Sequence, residues 1–413
     1  MAEPIPDDAR LCREHEEETL GFLQAVPDRP RAMEPFTRLF LENARAEELR
    51  ASDRPVVGML CNFAPDELIL AAGAVPVRLD SGCHVAARRG EDHLPVDVCC
   101  GVRAVAGELL SSLGGSPRLD LLVVPTACDG KRKLARVLAE RYPVAVLELP
   151  FSREGDAARA RWRQEIGSLV ERLQALTGRR IHRRALREAI ERTNRRVGLV
   201  REINALRRLE VPPISGLDAF LVMHGAFIAD IDWWLARTGE LLAELRARAA
   251  AGQGRRPRAR LLLTGSPVLW PDYKLLRIVH ETGADVVIDE TCAGTQRFYH
   301  PTVVDESTRG GLIRAAAERT LLPCTCPCFS SCQNRLDRLV ELVRGWRVEG
   351  VVHHTLRLCT PYDVDSAAVS ALARTRRVPF LSLHAELGPE ETAPLKNRVE
   401  ALVEMLAASR QGR

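Results

Sequence analysis

The stretch PVVGMLCNFAPDELILAAGAVPVRL, residues 55–79, changes its hydrophobic texture twice. Residues 55–60 form a short continuous apolar run, which reads as a buried strand. Residues 65–73 read as a helix, with Pro65 suited to its first turn and Gly73 to its end. Residues 74–79 are a second short strand. Alternation of this kind argues for a βαβ unit and a parallel sheet.

The same texture continues in residues 119–125 (LDLLVVP) and 143–149 (PVAVLEL), with helix-like segments between. It returns at residues 260–265, 284–289, 350–354 and 378–383, and the chain closes on a helix from about residue 394 to 408. Between these regions the pattern is helical. Ile166, Leu169, Val170, Leu173 and Leu176 recur at helical spacing, as do Leu186, Ile190, Val197, Val200, Ile203 and Leu206. This predicts a long helical insertion, an antiparallel pair with a third helix through Trp233 and Leu245. It ends in the linker GQGRRP at residues 252–257. The expected fold class is α/β, two flavodoxin/Rossmann-like parallel-sheet domains with a helical N-terminus and a helical insertion. The expected divisions are 1–52 (helical, with Phe36, Leu39, Phe40 and Leu41 as an apolar patch), 53–154 (first α/β domain), 155–255 (helical insertion) and 256–413 (second α/β domain).

A chain of 413 residues exceeds one ordinary core, which agrees with several domains. Hydrophobic residues make up 46% and charged residues 28%, as in soluble globular proteins. Only Lys131, Lys133, Lys274 and Lys396 are lysines, so the net charge of +4 rests on arginine. Much of that arginine alternates with glutamate on helical segments, as over residues 183–202, and reads as solvated faces. No one-signed stripe for nucleic acid is present. Apolar runs are too short to span a membrane, and the acidic N-terminus lacks a signal-peptide core. A cytoplasmic location is therefore expected. Twelve cysteines in such a chain read as reduced thiols: buried small side chains, catalytic thiols or metal ligands.

Motifs for a P-loop, a dinucleotide fingerprint, a nucleophile elbow and a zinc-protease helix are absent. His353 and His354 are adjacent on a strand and face opposite sides, so they do not form a chelating pair. The segment CTCPCFSSC at residues 324–332 is the densest cysteine cluster. Zinc ribbons use two separated knuckles, whereas this is one compact loop. It reads as partly buried thiols near another metal centre, with an auxiliary cluster as the alternative. Cys61, Cys128, Cys292 and Cys359 each follow a strand, where ligands gather in open parallel sheets. Cys99-Cys100, Cys128 and Cys359 also precede helix starts, whose N–H groups favour thiolate. Three thiolates from three loops are what an iron–sulfur cluster with one open iron would need.

Several blocks then resemble one family, that of the 2-hydroxyacyl-CoA dehydratases and benzoyl-CoA reductases. They are residues 58–76 (GMLCNFAPDELILAAGAVP), Cys99 with Arg103, residues 125–130 (PTACDG), 289–297 (DETCAGTQR), 354–362 (HTLRLCTPY) and 395–406 (LKNRVEALVEML), in that order. The resemblance implies a [4Fe-4S] cluster on Cys99, Cys128 and Cys359 of a D-component-like iron–sulfur subunit. It selects Cys99 over Cys100, since the family cysteine stands four residues before the arginine. It implies a separate ATP-dependent iron–sulfur activator protein that delivers a low-potential electron. It also implies a CoA-thioester substrate handled by ketyl radical chemistry, and a related second subunit or a homodimer. Glu67 is the candidate acid–base group, against the reading of an exposed carboxylate favoured by a helix N-terminus. The chain departs from the family in the cysteine-rich loop and the Cys99-Cys100 doublet. Both features also resemble the double-cubane iron–sulfur reductases of small molecules. A non-catalytic partner subunit and a zinc-binding structural protein are the further alternatives. The acyl group, and the choice between dehydration and reduction, are not written in the sequence.

Overall fold

The computed structural model describes residues 6–41, 48–49, 51–111, 113 and 118–411. Two four-stranded sheets, parallel throughout, organise them. The first holds β1 (Val56–Met59), β2 (Val75–Arg78), β3 (Leu121–Pro125) and β4 (Val144–Leu147) in the order β2-β1-β3-β4. The second holds β5 (Arg260–Gly265), β6 (Asp285–Glu290), β7 (Gly350–Leu356) and β8 (Phe380–Ala385) in the order β6-β5-β7-β8. The two sheets thus share one topology: the first strand is central, the second lies on one side, and the others follow on the opposite side. Register is tight, with Val56 opposite Val75 and Leu263 opposite Val352.

The opening stretch folds as its texture indicates. β1 and β2 flank the helix Asp66–Ala71. Pro65 caps that helix, and Gly73 leaves it at φ +83°, a left-handed conformation that costs glycine little.

The region between the sheets differs from the expected three helices. It contains four: Asp156–Thr177, Arg183–Leu206, Gly216–Ile228 and Ile231–Ala250. Gly216–Ile228 is buried on nearly every side, so its residues carry no amphipathic period to read. Its start is marked instead by Ser215, whose hydroxyl accepts from the Asp218 N–H. These helices do not stand apart from the sheets. Trp162, Ile166, Leu169, Leu186 and Ile190 pack with Val57 and Val123 of the first sheet. Val197, Val200 and Ile203 pack with Leu261, Leu263 and Val352 of the second. The 24-residue helix Arg183–Leu206 spans about 36 Å and so contributes to both cores. Leu20, Leu23 and Phe36 from the N-terminal helices Pro6–Ala25 and Glu34–Leu41 join the second sheet's core as well.

Helices His84–Arg89 and Cys100–Leu110 pack backbone to backbone. A Cβ at Gly107 would overlap the Ala86 carbonyl oxygen, and one at Gly90 would overlap that of Arg103. This close approach seats the Cys99-Cys100 end of its helix. No helix among the described residues is long and apolar enough to cross a membrane.

Candidate metal centre

In both sheets the chain reverses its direction of growth beside the first strand, and ligand crevices form at such switch points. Cys61 follows β1 and Cys128 follows β3. Ser266 follows β5, and Cys359 lies just beyond β7. The carboxyl ends of the two sheets are joined across this crevice. Arg297 of the second half donates to the carbonyls of Asn62 (2.6 Å) and Ala64 (3.3 Å). Asn62 donates to Gln296 (3.3 Å), and Gly82 N–H donates to the Trp270 carbonyl (2.7 Å). Arg78, at the end of β2, reaches the Cys292 carbonyl at 3.5 Å and lies 4.0 Å from its sulfur.

Cys99, Cys128 and Cys359 each occupy the position immediately before a helix, at Cys100–Leu110, Asp129–Leu138 and Thr360–Thr375. Each is half-buried, whereas Cys100 is fully buried in an apolar group with Cys83, Leu269 and Leu356. The Cys99 and Cys359 thiols lie within hydrogen-bonding reach of each other, and Ser266 lies against Cys359. The neighbouring Cys100 thiol, with burial, pushes Cys99 up to about 12. The Cys99 thiol and burial likewise push Cys359 well above the thiol range. Cys128 is raised by burial and lowered by Lys131, and its neighbours include Cys359 and Cys61.

Among the described residues, no three His, Cys, Asp or Glu groups converge on a point that one metal ion could fill. A single zinc draws every sulfur to about 2.3 Å and hence to one another. In a cubane each cysteine binds a different iron, so the donors surround a larger body. Cys359 is the neighbour of both Cys99 and Cys128 in this crevice.

The cysteine-rich loop belongs to the same crevice. Cys324, Cys326 and Cys328 pack at the edge of the first sheet's core. Cys61 interacts with Cys292, Cys324 and Cys328, and Cys326 lies within reach of Cys328. Polar anchors hold the loop there. Arg153 (2.6 Å) and Asn334 (2.9 Å) both donate to the Cys324 carbonyl. The Thr325 hydroxyl donates to the buried Glu290 and receives Gln296 at 2.8 Å. Glu290 is ion-paired with Arg335, which also holds Asp365 at 2.7 Å; all three are buried.

Two cations face these thiols. Lys131 is half-buried, and Cys61, Cys128, Asp80 and Cys292 outweigh its desolvation and hold it above the usual lysine range. Arg78 is ion-paired with Asp80 at 2.6 Å. The Tyr362 hydroxyl, near Cys292 and Cys326, is buried with no hydrogen-bond partner among the described residues. The cation close behind Cys128 is legible from spacing. Arg78, Ser266 and Tyr362 carry no local signal, because they arrive from other strands and loops.

Glu67 sits in a different environment. Its carboxylate is fully buried, ion-paired with Arg319 at 2.5 Å, and receives the Thr302 hydroxyl at 2.9 Å. It is not exposed, and its oxygens are directed at Arg319 and Thr302. Its neighbour Asp66 meets Arg297 at 2.5 Å, Arg319 at 3.4 Å, and Arg196. Burial alone would raise the Asp66 carboxyl, but the three guanidinium groups overcome it and hold the group well below the carboxylate range. Through Arg297 this network ties the Cys61 turn to the Cys292 turn.

Comparison with known proteins adds a separate line of evidence. A family profile described as 2-hydroxyglutaryl-CoA dehydratase, D-component, matches residues 61–406. The chain is 32% identical over 364 residues to the putative dehydratase subunit YjiM of Escherichia coli K12, covering 87% of this chain and 93% of that protein. It is 23% identical over 371 residues to a benzoyl-CoA reductase subunit of Thauera aromatica, with coverage of 87% and 93%. It is 20% identical over 364 residues to the beta subunit of (R)-2-hydroxyglutaryl-CoA dehydratase of Acidaminococcus fermentans, with coverage of 86% and 94%.

Proposed function

The chain belongs to the 2-hydroxyglutaryl-CoA dehydratase D-component family, and from that premise we propose that it is the [4Fe-4S] subunit of a 2-hydroxyacyl-CoA dehydratase or of a related CoA-thioester reductase. The observation that supports this reading is the placement of three half-buried cysteines, each just before a helix, with Cys359 a neighbour of both Cys99 and Cys128. Cys99, Cys128 and Cys359 would hold the cluster. When bound, such a cluster supplies a low-potential electron and an iron position open to a substrate oxygen.

The chain's own residues prepare the place. Helix N-terminal N–H groups favour negative sulfur at all three cysteines. Lys131 and Arg78 offset the accumulated thiolate charge. Leu269 and Leu356 pack around Cys99 and Cys359 and keep water away. Glu67, spanned by Arg319 and Thr302, takes a positioning role in this proposal, holding the helix that follows the Cys61 turn. The electron would come from a separate ATP-dependent activator, and the partner would be a related subunit or a second copy, in the cytoplasm.

One observation favours a second reading. Cys324, Cys326 and Cys328 lie beside Cys61 and Cys292, a donor set large enough for a double-cubane assembly. Anaerobic purification with iron, sulfide and zinc analysis separates the two. About four irons per chain, lost in Cys99→Ala, Cys128→Ala and Cys359→Ala but kept in Cys326→Ala, is the expected result. About eight irons would move the assignment to the double cubane, and zinc without iron would overturn both.

A further inference from the structure

A cavity of about 270 Å³ lies beside the crevice, bounded by the N-terminal helix, the end of β2 and the turn after β5. Its wall is largely apolar, with Phe40, Phe227, Val268, Leu269 and Trp270. The cysteines on its own wall are Cys12 and Cys83, and it comes near the crevice through residues that touch the other cysteines. Arg78 and Ala293 line it, and Arg78 is the residue that reaches Cys292. Leu269 shares an apolar group with Cys99 and Cys359.

Three features define the occupant. The first is size. A dry cavity of about 150 Å³ accepts one benzene ring, so this one accommodates an aromatic ring or branched chain together with a thioester carbonyl, and leaves the CoA nucleotide outside. The second is charge. Arg78 is bound to Asp80 and Asn62. Arg13, at the exposed rim, lies beside Glu16. The wall also carries the carboxyl groups of Glu16 and Glu108. A second substrate carboxylate would enter against these acidic groups, and the buried cation it meets, Arg78, is already engaged, which is costly in a desolvated site. The third is a polar handle. His224 is buried on the wall, with its Nδ1 2.5 Å from the Tyr273 hydroxyl. With Tyr273 as the donor, Nε2 carries the hydrogen; the Ala293 carbonyl is its nearest acceptor, at a geometry too loose for a close hydrogen bond.

We propose that this cavity receives the acyl portion of a CoA thioester and selects an uncharged aromatic or branched aliphatic group over a dicarboxylic one, with His224 Nε2–H donating to an acyl oxygen. The inference rests on the functional reading above and names its substrate class.

Isothermal titration of the anaerobically purified, iron-containing chain with 3-phenylpropanoyl-CoA, glutaryl-CoA and free CoA tests it. The phenylpropanoyl thioester is expected to bind at least about tenfold tighter than either of the others. Val268→Trp and Ala9→Trp, which fill the cavity from opposite sides, erase that gain and leave free CoA binding unchanged. Ala9 is half-exposed on its helix, so its variant carries the test if Val268→Trp does not fold. Equal or tighter binding of glutaryl-CoA overturns the inference, as does a gain that survives in the Trp variants. If free CoA and both thioesters bind alike, the acyl pocket alone is wrong. If none of the three binds, the CoA-thioester reading falls with it.

Discussion

Asp66→Asn isolates the buried charge network that joins the two halves of the crevice. The side chain is 3% exposed, and its two oxygens receive Arg196, Arg297 and Arg319. Asparagine keeps the shape but removes the anion and turns N–H donors toward guanidinium groups. Removing one partner of a buried ion pair costs about 3–5 kcal/mol, because the remaining charge is left without compensation. Arg319 keeps Glu67 as a partner, so a loss of about 3–4 kcal/mol is expected. With a urea m-value of about 3 kcal/mol/M, the unfolding midpoint falls by about 1 M. Urea titration followed by fluorescence and circular dichroism measures this. The pH dependence carries a sign. The folded carboxyl lies below its unfolded value near ~3.9, so its stabilisation is present above that pH and is lost as pH falls toward the folded value. The gap between the natural chain and the variant should therefore stay constant from about pH 5 to 8 and close only in stronger acid. A midpoint shift below about 0.3 M, at unchanged slope, would show that the network contributes no net stability and refute the reasoning.

Two further outcomes follow from packing and titration. Gly107→Ala drives a methyl into the Ala86 carbonyl and is expected to lose at least about 2 kcal/mol, with Cys99 shifted and iron retention reduced. Gly167→Ala, with open space around it in the helix Asp156–Thr177, should instead gain about 0.5–1 kcal/mol; equal effects at the two sites would contradict the helix contact. Burial, with Glu108 adding to it, pushes Glu16 up to about 7. The unfolded chain ionises this group near ~4.3, so folding loses stability as pH rises between that value and the folded one. Glu16→Gln should thus leave Tm unchanged at pH 4 and raise it at pH 8, and a Tm difference independent of pH would show that Glu16 ionises normally.

The strands, the parallel pairing and the positions of Cys99, Cys128 and Cys359 before helices could be read from the chain. Each depends on hydrophobic period, proline and glycine placement within a few neighbouring residues. The family blocks were likewise legible, because they are short and ordered. Other features had no local signal. Gly216–Ile228 is apolar all round, so its helical period vanishes and a fourth helix goes unread. Glu67 reads as a candidate acid–base group, or as an exposed helix-start carboxylate, and neither reading contains Arg319 and Thr302, which arrive from distant segments and bury it. The cysteine-rich loop shows its composition but not its neighbours; Glu290, Arg335 and Asn334 hold it beside Cys61 and Cys292.

What the amino-acid sequence by itself determined was therefore the two α/β halves and the residue types placed at their strand ends. Local propensity is set by side chains a few positions apart, and it survives in any tertiary arrangement. What only the tertiary structure decided was which strand ends face one another, which charges neutralise which, and where the N-terminal helix closes a cavity. Those outcomes depend on how two sheets and a helix shared by both cores pack together, a property of distances between residues far apart along the chain.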